Sequence, residues 1–181
     1  MLTQDELRKL LPALTGQFGD VVRLLLLTGQ RRNEIGKLKR SGTDAKRGMI
    51  VPSPARTKNK RQHELPLSTQ ALAILARQPR RNSSAFVFGS TQSQGWSNWS
   101  RAKAELDQGA SIADWRLHDL RRTCATEMAE LGVQPHIIEA VLNHVSGNKA
   151  GVAGIYNRAK CADEMCSALQ KCADHLDKIT G

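Results

Sequence analysis

Five separated segments of the sequence present side chains suited to handling a phosphodiester. In Thr28-Gly29-Gln30-Arg31-Arg32-Asn33-Glu34-Ile35, Arg31 falls where one helix is expected to give way to the next, and Glu34 stands three residues on, where it can orient the guanidinium. In Leu117-His118-Asp119-Leu120-Arg121-Arg122-Thr123, His118 and Arg121 are three apart. On a helix that spacing puts them on one face, about 5 to 6 Å apart at Cβ, so one phosphate can meet both. Leu142-Asn143-His144 follows a helix whose apolar face is Ile137, Ile138, Val141 and Leu142, and the histidine there can donate to a phosphate oxygen. Tyr156 is the one tyrosine of the chain, twelve residues beyond His144 across a Gly-containing loop, and Lys58 lies in a basic run. Singly, each has an ordinary structural reading: a surface arginine with a helical acid, a histidine at a helix start, a packed tyrosine, a solvated lysine. Only their joint occurrence carries weight.

The elements that must position these residues are legible as patterns. Thr3 with Glu6 forms a capping-box signature ahead of Leu7, Leu10 and Leu11, which predicts an opening helix. A second helix is expected over 20–28, with Gly29 as its C-cap and a further helical turn or two over 32–38. From 41 to 67 the period changes, and Met49-Ile50-Val51 and His63-Glu64-Leu65-Pro66-Leu67 read as short strands with the basic run 56–61 as a hairpin tip. Ser68 is placed to cap a helix carrying Leu72, Ile74 and Leu75, after which Phe86-Val87-Phe88 reads as a third strand ending at Gly89. Helices are then expected over 96–106, 118–131, 135–143, 152–158 and 162–178, with Gly132 as a C-cap and Pro135 at the first helical position. The fold class is therefore α+β, mainly α-helical, with a small three-stranded antiparallel sheet.

The 181 residues are 40% hydrophobic, which suits one domain spanning 1–181 and is too little for two of full size. Lys and Arg number 27 against 17 Asp and Glu, a formal charge of +10 that favours a polyanionic partner through phosphate neutralisation. The longest apolar stretch is broken by Arg23 and falls far short of the roughly 20 residues that span a bilayer. The N-terminus lacks the basic and apolar regions of a secretory signal, so a cytoplasmic or nucleoid location with reduced cysteines is expected. Cys124, Cys161, Cys166 and Cys172 lack the paired spacing of a zinc site, and no metal is expected.

In this order, the five segments resemble the tyrosine recombinases of the phage-integrase family over nearly the whole chain. Thr28-Gly29-x-Arg31-x-x-Glu34-Ile35 is similar to the first arginine box, Thr57-Lys58-Asn59 to the hairpin lysine, and His118-x-x-Arg121 to the second box. Leu142-Asn143-His144 and Tyr156 match the third histidine and the nucleophile, and the stretch from Leu142 to Arg158 most resembles integrases of prophages and genomic islands. The resemblance implies the family's catalytic-domain fold. It implies DNA strand cleavage and rejoining by Tyr156, assisted by Arg31, Lys58, His118, Arg121 and His144 with Glu34 in support, and no cofactor. It also implies double-stranded DNA as partner and a homotetramer on DNA in the full-length protein. The chain departs from the family in having Asn143 where Leu-Gly-His is commoner, and a longer spacing from His144 to Tyr156, both of which bear on loop geometry. A complete integrase of this kind carries N-terminal DNA-binding domains, so the chain is expected to be a C-terminal fragment. The competing readings are a type IB topoisomerase, which relaxes supercoils without exchanging partners, and a non-catalytic DNA-binding module. The first is disfavoured by the prophage-like stretch and the second by the presence of all six candidate residues.

Overall fold

In the computed structural model, residues 1–51, 64–80, 84–89, 94–143 and 153–180 are described, with side chains of the last segment from residue 161 onward. The core is built around α2 (Gly16–Thr28), whose Val21, Val22 and Leu24 to Leu27 are all buried. Each such side chain withdrawn from water contributes roughly 1.5–3 kcal/mol. Arg23 interrupts this run without breaking the core. It is half-buried, and its Nη2 donates to the Leu11 carbonyl at 2.8 Å, one of the acceptors left open at the end of α1 (Gln4–Ala13). The helix starts four residues earlier than the sequence suggests. Its two early glycines, Gly16 and Gly19, lower helix propensity, but Gly19 is pressed so closely on the Leu14 backbone that a Cβ there would lie 2.5 Å from the Leu14 carbonyl carbon.

Helix α1 opens with the expected reciprocal cap: Thr3 Oγ1 accepts from the Glu6 amide, and Glu6 Oε2 accepts from the Thr3 amide at 2.7 Å. The short α3 (Arg32–Gly36) follows α2 directly, and a single 3-10 turn at Arg40–Gly42 leads into the sheet. Strands β1 (Thr43–Asp44), β2 (Met49–Ile50) and β3 (Leu65–Pro66) lie antiparallel in that order, with Thr43 opposite Ile50 and Ile50 opposite Leu65. Among the described residues the sheet thus has the expected three strands but a different membership. Phe86-Val87-Phe88 is not its third strand: Phe86 makes a single antiparallel bridge to Lys39, fixed by Val87 N donating to Leu38 O at 2.8 Å and Arg40 N to Ala85 O at 2.9 Å. The apolar character of that stretch reflects burial of Val87 and Phe88 in the core rather than a sheet. The basic run 56–61, expected as a hairpin tip and containing Lys58, lies outside the described residues.

The other elements among the described residues are helices: α4 (Thr69–Ala76), α5 (Trp99–Ala110), α6 (Leu117–Glu130), α7 (Pro135–Val141) and α8 (Ala153–Thr180). Ser68 caps α4 by accepting from the Ala71 amide, and Pro135 begins α7, both as the sequence indicates. The two helices expected over 152–158 and 162–178 are one continuous helix, α8, of 28 residues. No glycine or proline occurs between 155 and 180 to interrupt it. Its stripe of Met165, Ala168, Leu169, Cys172, Ala173 and Leu176 is buried. Helix α6 packs against α2, α7 and α8, and α8 also contacts α1, α2 and β3. The four cysteines are thiols, and Cys124 of α6 meets Cys172 of α8 inside this packing. Among the described residues no helix is long and apolar enough to cross a membrane.

Candidate active site

The first arginine segment is shaped by a left-handed turn. Gly29 has φ 62°, a conformation in which an L side chain meets the following carbonyl, and its amide closes α2 by donating to Leu25 O at 2.9 Å. The chain then reverses into α3 with Arg31 at the N-cap. Glu34 acts on Arg31 twice: Oε2 accepts from the Arg31 amide at 2.7 Å, and Oε1 accepts from Nη1 at 3.1 Å. One carboxylate therefore satisfies a helix-start donor and holds the guanidinium, which is half exposed. Helix α3 is itself pinned. Gly36 lies against Trp99 so tightly that a Cβ would fall 2.3 Å from the indole, its carbonyl accepts from Trp96 N at 2.7 Å, and Arg32 covers the Trp99 ring at 5.4 Å.

The second segment meets the first from across the core. Arg121, 6% exposed, donates from Nη1 to Gly29 O at 2.8 Å and from Nη2 to Leu142 O at 2.7 Å. A guanidinium carries five N–H donors, and among the described residues these two bonds engage two of them. Burial draws Arg121 below the ordinary arginine value, and the nearby positive charge of Arg31 acts in the same direction while Glu34 opposes it. The two arginines, from segments 90 residues apart in sequence, thus feel each other's charge, and an anion placed between them relieves that repulsion. His118 lies in the first turn of α6 and is exposed, while Arg121 one turn on is buried. Asp119 beside it reaches back to the Arg116 amide at 2.9 Å and so serves the helix start.

The third segment is tied to the same place. Gln30, also 6% exposed, donates through Nε2 to Thr28 O at 3.0 Å and to Val141 O at 2.8 Å. The helix α7 ends at Val141, and Asn143 takes φ 49° just before His144. That angle accounts for the unusual residue: the site needs a left-handed backbone, which glycine adopts freely and asparagine more readily than other side chains. His144 and Lys58 lie outside the described residues. Tyr156 lies in the first turn of α8, and its side chain is outside the described set. The described structure therefore brings together Arg31, Glu34, Arg121 and the chain leading to His144, with His118 on the exposed start of the same helix as Arg121.

Two features of this region are not legible in the sequence. Gln30 is one polar residue in a polar box, and nothing in its neighbours marks it as buried. Behind Arg121, Glu127 of α6 is buried with His175 Nε2 of α8 at 3.2 Å, an ion-pair distance without hydrogen-bond geometry to that oxygen. Burial raises the Glu127 carboxyl, with His175 opposing. The neighbouring Cys172 thiol and complete burial hold the Cys124 thiol well above its ordinary range. Among the described residues, no group of three His, Cys, Asp or Glu side chains is arranged to hold a metal ion.

Comparison with known proteins agrees with this architecture. The chain is 33% identical over 167 residues to prophage integrase IntZ of Escherichia coli K12, covering 90% of this chain and 40% of the relative. It is 34% identical over 122 residues to prophage integrase IntA of the same organism, covering 66% of this chain and 29% of the relative. It thus spans two fifths or less of the length of these relatives. Its fold is similar to that of XerA recombinase, with TM-score 0.69, 20% identity and coverage of 88% of this chain and 63% of the other. It is also similar to the integrase from mycobacterium phage Brujita, with TM-score 0.73, 18% identity and coverage of 93% and 56%. A lambda integrase dimer bound to a COC' core site matches with TM-score 0.62, 20% identity and coverage of 83% and 61%. The Phage integrase family model matches residues 1–161, and with two arginine boxes meeting at one turn, the chain belongs to the phage integrase family.

Proposed function

We propose that this chain is the catalytic domain of a site-specific DNA recombinase that integrates or excises mobile DNA. The observation that carries the reading is the convergence of Arg31 and Arg121 on the turn at Gly29. Family membership and the formal charge of +10 support double-stranded DNA as the substrate. In this reading the Tyr156 phenolate attacks the scissile phosphorus, a P–O bond to Tyr156 forms, and the bond to the 5′-oxygen breaks. The products are a 3′-phosphotyrosine and a 5′-hydroxyl, and attack by another strand's 5′-hydroxyl reverses the step. One phosphodiester replaces another, so the exchange is close to isoenergetic and needs no nucleotide.

Each candidate residue has a role in that sequence. Arg31 and Arg121 neutralise the non-bridging oxygens as charge builds, and His144 adds a hydrogen bond. Loss of one preorganised donor of this kind costs on the order of 10²–10³ in rate. A free phenol has a pKa of about 10, and His118 accepts its proton while the two guanidiniums favour the phenolate. Lys58 protonates the leaving 5′-oxygen. Glu34 acts through Arg31, which it holds by two hydrogen bonds. The full-length protein is expected to work as a homotetramer on nucleoid DNA, and the prophage names of its relatives favour strand exchange over simple relaxation.

The test is covalent capture. The chain is incubated with a random-sequence pool of nicked duplexes, and DNA held after detergent denaturation is recovered. A detergent-stable adduct with the wild type, lost in Tyr156→Phe while gel-shift affinity is kept, is the expected result. No adduct under any condition, or an equal yield from the Phe variant, overturns the reading.

A further inference from the structure

Two consecutive carbonyls of the first arginine turn face two consecutive carbonyls at the end of α7, and two side chains bridge them. Arg121 joins Gly29 O to Leu142 O, and Gln30 joins Thr28 O to Val141 O. We propose that Gln30 is a positioning residue of the strand-transfer reaction: its side-chain amide locks the Arg31 turn to the end of α7, so that Arg31 and Arg121 are held on a single phosphate. The inference rests on the recombinase reading given above.

The chemistry of the clamp is specific. A neutral amide N offers two N–H donors, and both are used here on buried carbonyls that are otherwise left at or beyond helix ends. Thr28 O belongs to the last residue of α2 and Val141 O to the last residue of α7, so neither has an intrahelical amide to accept from. A cation in the place of Gln30 would add a third positive charge beside Arg121 and Arg31, and a carboxylate would oppose both carbonyls while competing for the guanidiniums. The primary amide supplies two donors without charge, which leaves the electrostatics of the pair for the phosphate. The partners of Gln30 lie two and 111 residues away in sequence, so the bridge closes the site tertiarily rather than locally. Since Arg31 follows Gln30 and His144 follows Asn143, slack in this bridge moves the arginine turn relative to α7 and its continuation. A displacement of about 1 Å in a group that must meet a transition state costs on the order of 10² in rate.

The test uses duplexes recovered by covalent capture on the wild-type chain, so an absence of capture refutes the recombinase reading before Gln30 is reached. On a captured sequence, Gln30→Met keeps the length of the side chain and removes both donors. Single-turnover cleavage is expected to slow by about 10²-fold while the Kd for the duplex stays within a few-fold of wild type. The distinguishing readout is a methylphosphonate at the scissile position, which is uncharged and places less demand on paired guanidiniums. On that substrate the Gln30→Met defect is expected to shrink to within a few-fold. Gln30→Glu supplies a second reading if the Met variant does not fold: its carboxylate has no donor for the two carbonyls and draws on both guanidiniums, so its cleavage defect should likewise be larger on the phosphodiester than on the methylphosphonate. Wild-type cleavage rates in the variant that folds, or an equal defect on phosphodiester and methylphosphonate, each overturn the proposal.

Discussion

Replacing Gly29 by alanine strikes the point where both arginine segments meet, and the structure sets its size. Two costs add. The residue has φ 62°, and an L side chain in the left-handed region costs about 1–2 kcal/mol. The new Cβ would also stand 2.7 Å from Leu142 Cδ2 and 3.2 Å from Cys124 Sγ. Crowding of a packed core costs about 1–3 kcal/mol, and the lower part of that range applies because the Leu142 methyl ends a side chain that can turn. The sum is about 2–4 kcal/mol. Gly132 provides an internal control: its φ is 77°, but nothing lies within 4 Å of a Cβ there. Gly132→Ala should therefore carry only the backbone cost of about 1–2 kcal/mol. Urea unfolding of the two variants and the wild type, with a common slope, gives the comparison. If Gly29→Ala is no more destabilising than Gly132→Ala, Leu142 and Cys124 do not confine the turn, and the tight convergence drawn from them is wrong.

Three further outcomes follow from particular groups. The folded state holds the Glu127 proton more tightly than the unfolded chain, so between the ordinary value of 4.5 and the raised folded value it binds more protons and stability falls as pH rises. Glu127→Gln should remove that fall, and a variant with the wild-type pH profile of urea midpoints would contradict the assignment. Asn143 has φ 49°, so Asn143→Gly should leave the urea midpoint unchanged or raise it, whereas Asn143→Val should lower stability by about 1–3 kcal/mol; equal effects would refute the left-handed role. Lys58→Ala should slow cleavage of ordinary DNA by about 10²–10⁴-fold yet cleave a 5′-bridging phosphorothiolate, whose leaving group needs no proton, at nearly the wild-type rate. Equal defects on the two substrates would assign the proton to another group.

What could be read in the sequence was what local chemistry fixes. The Thr3–Glu6 cap, the Gly29 turn, Ser68 ahead of α4 and Pro135 at the start of α7 each depend on residues within one helical turn, and each stands in the structure as expected. The Arg31 junction with Glu34 three residues on belongs to the same class. Elements set by tertiary contact are less legible. Strand β1 is two residues long and offers no alternation, while Phe86-Val87-Phe88 is β-prone but spends its apolar groups in the core. The expected break near residue 160 had no glycine or proline behind it, and α8 runs through. In the site, spacing alone could put His118 and Arg121 on one helix. It could not show that Arg121 is buried with its Nη atoms on carbonyls 92 and 21 residues away, or that Gln30 reaches 111 residues to Val141. Those bonds exist only once α2, α6 and α7 have packed.

The proposed covalent bond between Tyr156 and the 3′ side of a broken DNA strand is direct to test because of the composition of the chain. Tyr156 is its single tyrosine. The wild-type chain is trapped on internally labelled duplex, the adduct is digested with nuclease, and the labelled phosphoamino acid and the free DNA end are identified. Labelled phosphotyrosine together with a 5′-hydroxyl on the released strand is the predicted result, and no other position can give it. Label on serine, threonine or histidine, or a phosphotyrosine joined to the 5′ end, would contradict the account.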